Sequence, residues 1–220
     1  MELYEMSAHL QMIVWRLLMT MHSDAGQRQF SVDHSIDESD RNELLEHGKW
    51  LNDRVVNAAQ VMLRRQFQSA VGLHDTLTVG NGSSTIAASA GMVQIFHDAA
   101  NKHWLTVSTV HCPANYTNIL CSLQRTPSNA CIRAITAYCK FTGPYVTLCI
   151  LNVCRQCGGS HCGLIAIAYL TNVLFGTDPV LYEFVRAHLA QCLQDAAVQP
   201  FPINDRAVRR QISHEHKIAL

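Results

Sequence analysis

Charge is scarce in this chain, and neither sign prevails. Only 15% of its 220 residues are charged, with 17 Lys and Arg balancing 17 Asp and Glu. No global field therefore draws the protein to nucleic acid or to an anionic membrane. Long apolar runs are also missing. The apolar stretches of Met1 to His22 are broken by Glu2, Glu5, His9 and Arg16, and no basic segment precedes them. That pattern suits neither a bilayer span nor a secretory leader. Leu10, Ile13, Val14, Leu17, Leu18 and Met21 instead share one helical face, which predicts a docking helix. There is no internal repeat and no low-complexity tract. What is present, 48% apolar residues in 220, is enough for one folded domain with a substantial core.

Histidine and cysteine are plentiful. The twelve histidines would make the protein cationic below about pH 6, but they are scattered and suggest no collective role. The nine cysteines are an odd number without a secretion signal. Cys121, Cys131, Cys139 and Cys149 lie in apolar or helical segments, where cysteine acts as a small hydrophobe. A reducing compartment, nucleus or cytoplasm, is expected.

Polar residues from Asp24 onward read as a linker, with 1–38 as an N-terminal helix and linker, 39–202 as the domain and 203–220 as a tail. Ser39-Asp40 ahead of Glu43 predicts a capped short helix through Glu46, and a second helix is expected over Asp53–Phe67. Gly80-Asn81-Gly82-Ser83-Ser84 marks a loop. Strands are expected at Met92–Phe96, Trp104–Val110 and Tyr116–Leu120, the first two close enough in sequence to pair antiparallel. A helix near Ala130–Lys140 follows, then the continuous apolar run Tyr145–Leu151, which predicts a strand buried on both faces. A helix from Cys162 should stop at Phe175-Gly176, and another should begin at Asp178-Pro179 and carry His188, Leu189 and Cys192 at helical spacing. Strands grouped between helices give an α+β class.

The chemistry concentrates at Gln156-Cys157-Gly158-Gly159-Ser160-His161-Cys162-Gly163, which runs into Leu164-Ile165-Ala166-Ile167. A cysteine at the junction of a glycine-rich loop and an apolar helix sits at the positive end of the helix dipole, which favours the thiolate. Gln156 offers an amide for an oxyanion, and His103 opens an apolar strand where a general base is wanted. These are the parts of a thiol protease. A rival reading, zinc at Cys154-x-x-Cys157-x-x-x-His161-Cys162, is weak because adjacent His161 and Cys162 diverge and no second Cys-x-x-Cys completes a site. The metal expectation is none.

His103-Trp104, the Gln156 to Gly163 loop, and Trp50-Leu51-Asn52-Asp53 followed by Val55-Val56-Asn57-Ala58-Ala59-Gln60 together resemble the ubiquitin-like-protein-specific cysteine proteases. That family includes the SUMO-processing enzymes and the adenovirus protease; the likeness is greatest to domains carried by animal transposable elements and their domesticated descendants. It spans roughly residues 40 to 202. The resemblance implies a papain-like fold with a central, mostly antiparallel sheet flanked by helices. It implies Cys162 as nucleophile, His103 as base, Gln156 as oxyanion donor, and Trp104, Trp50, Asp53 and Gly159 as residues that hold the substrate's Gly-Gly tail. The reaction implied is peptide or isopeptide cleavage after that tail, with no cofactor. The partner is a ubiquitin-like protein or its conjugates, with no nucleic acid or membrane, and the chain is read as a monomer. Two departures stand out. Cys121, in Asn118-Ile119-Leu120-Cys121-Ser122-Leu123, occupies the place of the family's aspartate, and His161 replaces an aspartate before the nucleophile. The alternative is therefore a degenerate domain that binds ubiquitin-like proteins without cleaving them.

Overall fold

A computed structural model describes residues 36–80, 85–87, 91–156, 158–177, 185–202 and 212–220. The docking helix expected before Met21, the Asn81–Ser84 loop and the start of the helix expected at Asp178 lie outside the described residues.

The domain opens with α1 (Glu38–Leu45) and α2 (Asp53–Gln66). The capping box of α1 is made by Asp37 and Asp40, two to three residues ahead of the expected Ser39 and Glu43. Helix α2 starts where the sequence places it, because the Asn52 side chain accepts from the Val55 N–H at 3.0 Å. After β1 (Val71–Gly72), a short α3 (Thr76–Gly80) and β2 (Ile86–Ala87) come β3 (Met92–Asp98), β4 (His103–Ser108) and β5 (Tyr116–Leu120). Then follow α4 (Asn129–Tyr138), β6 (Cys139–Lys140), β7 (Tyr145–Leu151), α5 (Cys162–Phe175), α6 (Arg186–Gln194) and β8 (Ile212–Ala219).

Six strands form one mixed sheet in the order β1-β3-β4-β5-β7-β8, while β2 and β6 pair separately. The pairs β3–β4, β4–β5 and β7–β8 are antiparallel; β1–β3 and β5–β7 are parallel. Helices cover both faces. On one side α2 and α5 pack Leu63, Val56, Leu164 and Leu170 against Ile95 and Trp104; on the other, α4 packs Ile132, Ile135 and Tyr138 against Phe96, Leu105 and Leu148. The fold class is α+β, as the grouped strands imply. Helix α5 is apolar almost all round and buried nearly throughout its length, as befits a central helix. It stops at Gly176, whose φ of 67° is the left-handed conformation that a C′ glycine supplies without a Cβ penalty.

Two boundaries differ from expectation. Val185 is extended, so α6 begins at Arg186 and does not run unbroken from Asp178 through Cys192. Residues 212–219, expected in the tail, instead form β8 along β7, with Tyr145 opposite Ala219 and Ile150 opposite His214. Their alternating polar residues gave no core signal because β8 is an edge strand with mostly exposed side chains.

Candidate functional site

Cys162 is the first residue of α5 and is only 2% exposed. Its approach loop turns at Gly158, where φ is 84°, and continues through Gly159, Ser160 and His161. Backbone N–H groups of Trp104, Gly163 and Cys162 favour the thiolate, as the helix terminus suggests, but burial outweighs them and pushes the thiol up. The sequence expectation of a depressed thiol is thus corrected: the helix end is present, and desolvation dominates it.

His103 opens β4 and is 3% exposed. Its Nε2 lies 3.4 Å from the Cys121 Sγ, just past the end of β5. Cys121 is thus the side chain set against that ring nitrogen. Burial, followed by the charge of Arg125, lowers His103 from 6.5 to about 4, while the Asp98 carboxylate opposes the fall. Burial thus works against both charged forms, the thiolate at 162 and the imidazolium at 103, and favours the neutral pair.

The burial of His103 has a consequence for stability. The unfolded chain protonates this ring near 6.5, whereas the folded protein resists until about 4. Stability is complete above the higher value and is lost as pH falls between the two. At 1.36 kcal/mol per unit, the expected loss at pH 4 is roughly 3 kcal/mol. Denaturant unfolding at pH 7 and pH 4 measures it. A His103→Gln protein should lose distinctly less stability over that interval, and an equal loss would remove His103 as the cause.

Gln156 is held at three points. Its backbone N–H donates to the Ser122 carbonyl at 3.1 Å, its Oε1 accepts from the Ser122 hydroxyl at 2.6 Å, and its Nε2 donates to the Gly158 carbonyl at 2.9 Å. Ser122, next to Cys121 and buried, thus ties the strand end beside His103 to the loop ahead of Cys162. Sequence reasoning quoted Ser122 only as context for Cys121 and missed its role.

Beside these residues lies a groove of about 600 Å³ lined by Trp50, Leu51, Asp53, Leu77, His97, Trp104 and the alanines 99, 100, 130 and 134, among others. Trp104 is largely buried, with the His97 ring against its indole at 4.4 Å between centroids. Trp50 stands at the rim, 47% exposed. Asp53 lines the groove from the first turn of α2, and it is Asn52 that caps the helix. The α3 wall is anchored by buried amides: Asn57 accepts from the Thr76 N–H at 3.0 Å, and Gln94 accepts from the His74 N–H at 2.8 Å. Gly159 is exposed on its loop and is not among the groove's lining residues.

Two of the groove residues, Leu51 and Trp104, pack against the start of α5 at Gly163. A Cβ there would lie 3.0 Å from the Leu51 Cβ and 3.3 Å from the Trp104 Cδ1. Gly163→Ala is expected to cost about 1–3 kcal/mol and to displace Trp104. A melting shift together with altered indole fluorescence checks this; an unchanged protein would mean the contact is slack. Arg186, which the sequence did not flag, binds three carbonyls here, those of Leu44, Lys49 and Ser160. It joins the α1 end, the Trp50 approach and the nucleophile loop.

Among the described residues no three His, Cys, Asp or Glu side chains gather to hold a metal, and Cys157 lies outside them. His161 meets the His47 ring edge-on at 6.2 Å between centroids.

No protein-family model and no curated protein matches the chain. Solved structures do. The SUMO protease Ulp1 with its catalytic cysteine oxidised to a sulfenic acid superposes with a TM-score of 0.60 at 13% identity, covering 89% of this chain and 98% of that one. The fold is that of the Ulp1 proteases. The C-terminal Ulp1 protease domain in complex with Smt3, the yeast ortholog of SUMO, gives 0.59 at 12% identity over 86% of this chain and 96% of that one. The Ulp1-like SUMO protease catalytic domain of Chaetomium thermophilum gives 0.54 at 13% identity over 84% and 90%. At such identities the likeness is one of architecture, and the site must be argued from this chain's own residues. Among the described residues no helix is long and apolar enough to cross a membrane.

Proposed function

We propose that this protein is a cysteine peptidase or isopeptidase that cleaves after the C-terminal Gly-Gly of a ubiquitin-like protein. The observation that carries the reading is the pairing of His103 Nε2, at the start of β4, with Cys121 Sγ, just past β5, at 3.4 Å. One imidazole nitrogen is taken by the third residue, which leaves Nδ1 for the thiol. Cys162 attacks the scissile carbonyl and its proton passes to His103, which returns it to the leaving amine. Gln156 and the Cys162 N–H stabilise the oxyanion of the tetrahedral intermediate. Trp104 and Trp50, with Asp53 beneath, suit an extended tail whose glycines pass where side chains would clash with indole faces. Because burial disfavours both the thiolate and the imidazolium, deprotonation accompanies attack rather than preceding it.

A second reading, a domain that binds the tail without cleaving it, is favoured by the same neutral pair and by a thiol at 121 in place of a carboxylate. One experiment separates the two. Ubiquitin-like proteins bearing a C-terminal thiol-reactive warhead are incubated with the intact chain, and adducts are mapped by mass spectrometry. An adduct on Cys162, lost in Cys162→Ala, supports the peptidase. Retention of the same proteins without any adduct supports the binder, and neither adduct nor retention sinks both.

A further inference from the structure

The charge that Cys121 does not supply has another source nearby. Asp98 ends β3 directly opposite His103 in the antiparallel ladder, so the two side chains project from the same face of the sheet. Cβ atoms of such pairs stand about 4.5–5.5 Å apart. Asp98 is 2% exposed yet stays ionised. Burial pushes its carboxyl up, but donors outweigh this: the Ser128 hydroxyl at 2.5 Å, the Ser128 N–H at 2.8 Å and the Asn101 amide at 2.7 Å bring it down. Burying a carboxylate is costly, and here three donors offset that cost and keep the charge in place.

We infer that Asp98 is a positioning residue whose carboxylate stabilises the His103 imidazolium formed when Cys162 gives up its proton. The inference rests on His103 being the base. The proton moves from the Cys162 sulfur to the ring and later to the leaving amine, and Asp98 neither gives nor takes one. Its contribution is the field across one cross-strand pair. The other groups facing the ring oppose it or are neutral. Arg125 and His97 disfavour the imidazolium, and Cys121, against Nε2, is a thiol. Cys131, the thiol behind them on α4, is pushed up to about 12 and stays neutral. Asp98 is thus the single carboxylate acting on His103 in this set, and it lies on β3, on the other side of β4 from β5 and Cys121. Its contact with Ser128, the N-cap of α4, also has a structural role, so the test must separate the two.

The test compares the intact chain with Asp98→Asn, each with and without Cys121→Asp. His103 is titrated by NMR of its imidazole carbon, and Cys162 is labelled with chloroacetamide. In D98N the His103 midpoint is expected to fall by about one unit and labelling at pH 7 to slow about tenfold. In the C121D background the same change should alter labelling less than about twofold, because a carboxylate on Nε2 takes over. An unmoved His103 midpoint in folded D98N overturns the inference, as does equal slowing in both backgrounds. Should D98N fail to fold, Ser128→Ala removes the shortest donor, so that Asp98 protonates at higher pH. The acid limb of labelling must then move up with it, and an unchanged limb overturns the inference. The NMR midpoint does not depend on Cys162 chemistry, so loss of the peptidase reading alone leaves a different signature: a shifted midpoint with no effect on labelling.

Discussion

Cys121→Asp is expected to speed labelling of Cys162 at pH 7 by about tenfold or more and to flatten its rise with pH. In the parent protein the thiol is pushed up by burial and His103 is pulled down to about 4. Labelling should therefore climb steadily from neutral pH into the alkaline range, where the thiolate forms without help from the ring. A carboxylate 3 to 4 Å from a ring nitrogen raises a histidine by about 1–3 units, each worth tenfold in the population of the ion pair. It also accepts from Nε2–H, which fixes the proton there and turns the Nδ1 lone pair toward Cys162. A thiol accepts and donates weakly, so it fixes neither tautomer. Cys121→Asn separates these effects, since it supplies an acceptor of similar shape without charge. Part of the gain in Asn and the rest in Asp would apportion orientation and field. The cost is a second buried carboxylate, placed in the apolar cluster that holds Phe96, Leu105 and Ile132, so a lower melting temperature is expected with the faster chemistry. A stable C121D protein that labels no faster would show that the ring does not limit the reaction.

Where several residues of the candidate site fall in the fold was legible in the sequence, and for definable reasons. Cys162 and His103 sit at element starts, where the switch from loop to apolar helix or from turn to apolar strand is visible as pattern; Cys121 was singled out only by the family resemblance. The helix stop at Gly176 was equally plain because only glycine takes that conformation cheaply. The misses have the opposite character. Asp98 looks like an ordinary polar residue at a strand end, and its position opposite His103 follows only from the ladder register. Ser122 and Arg186 act on loops remote in sequence, through bonds spanning 34 and 142 residues, which no local pattern encodes. The edge strand β8 carries alternating charged and histidine residues with little burial, and so it reads as a tail. The thiol's direction failed for a different reason: the helix end was visible in sequence, but the burial that opposes it was not.

The second large effect is expected at Gln156. Under the proposed mechanism, replacing it with alanine should lower kcat by about 10²–10³-fold with little change in KM, since the oxyanion assigned to it exists only in the transition state. The amide is preorganised. The Ser122 hydroxyl orients Oε1 at 2.6 Å, and that fixes the side on which Nε2 and its two hydrogens lie. One hydrogen is already given to the Gly158 carbonyl; the second remains available for the oxyanion. Ser122→Ala should therefore produce a smaller loss of the same kind, about tenfold, because the donor survives but is no longer aimed. In Q156A/S122A the serine's effect should vanish, since it works only through the glutamine. Labelling by a small electrophile such as chloroacetamide passes through no oxyanion and should be unaffected in all three proteins. A fall in labelling alongside kcat would mean that the loop, not the hole, had been damaged. A full kcat without the glutamine would assign the oxyanion to backbone N–H groups at the start of α5 alone.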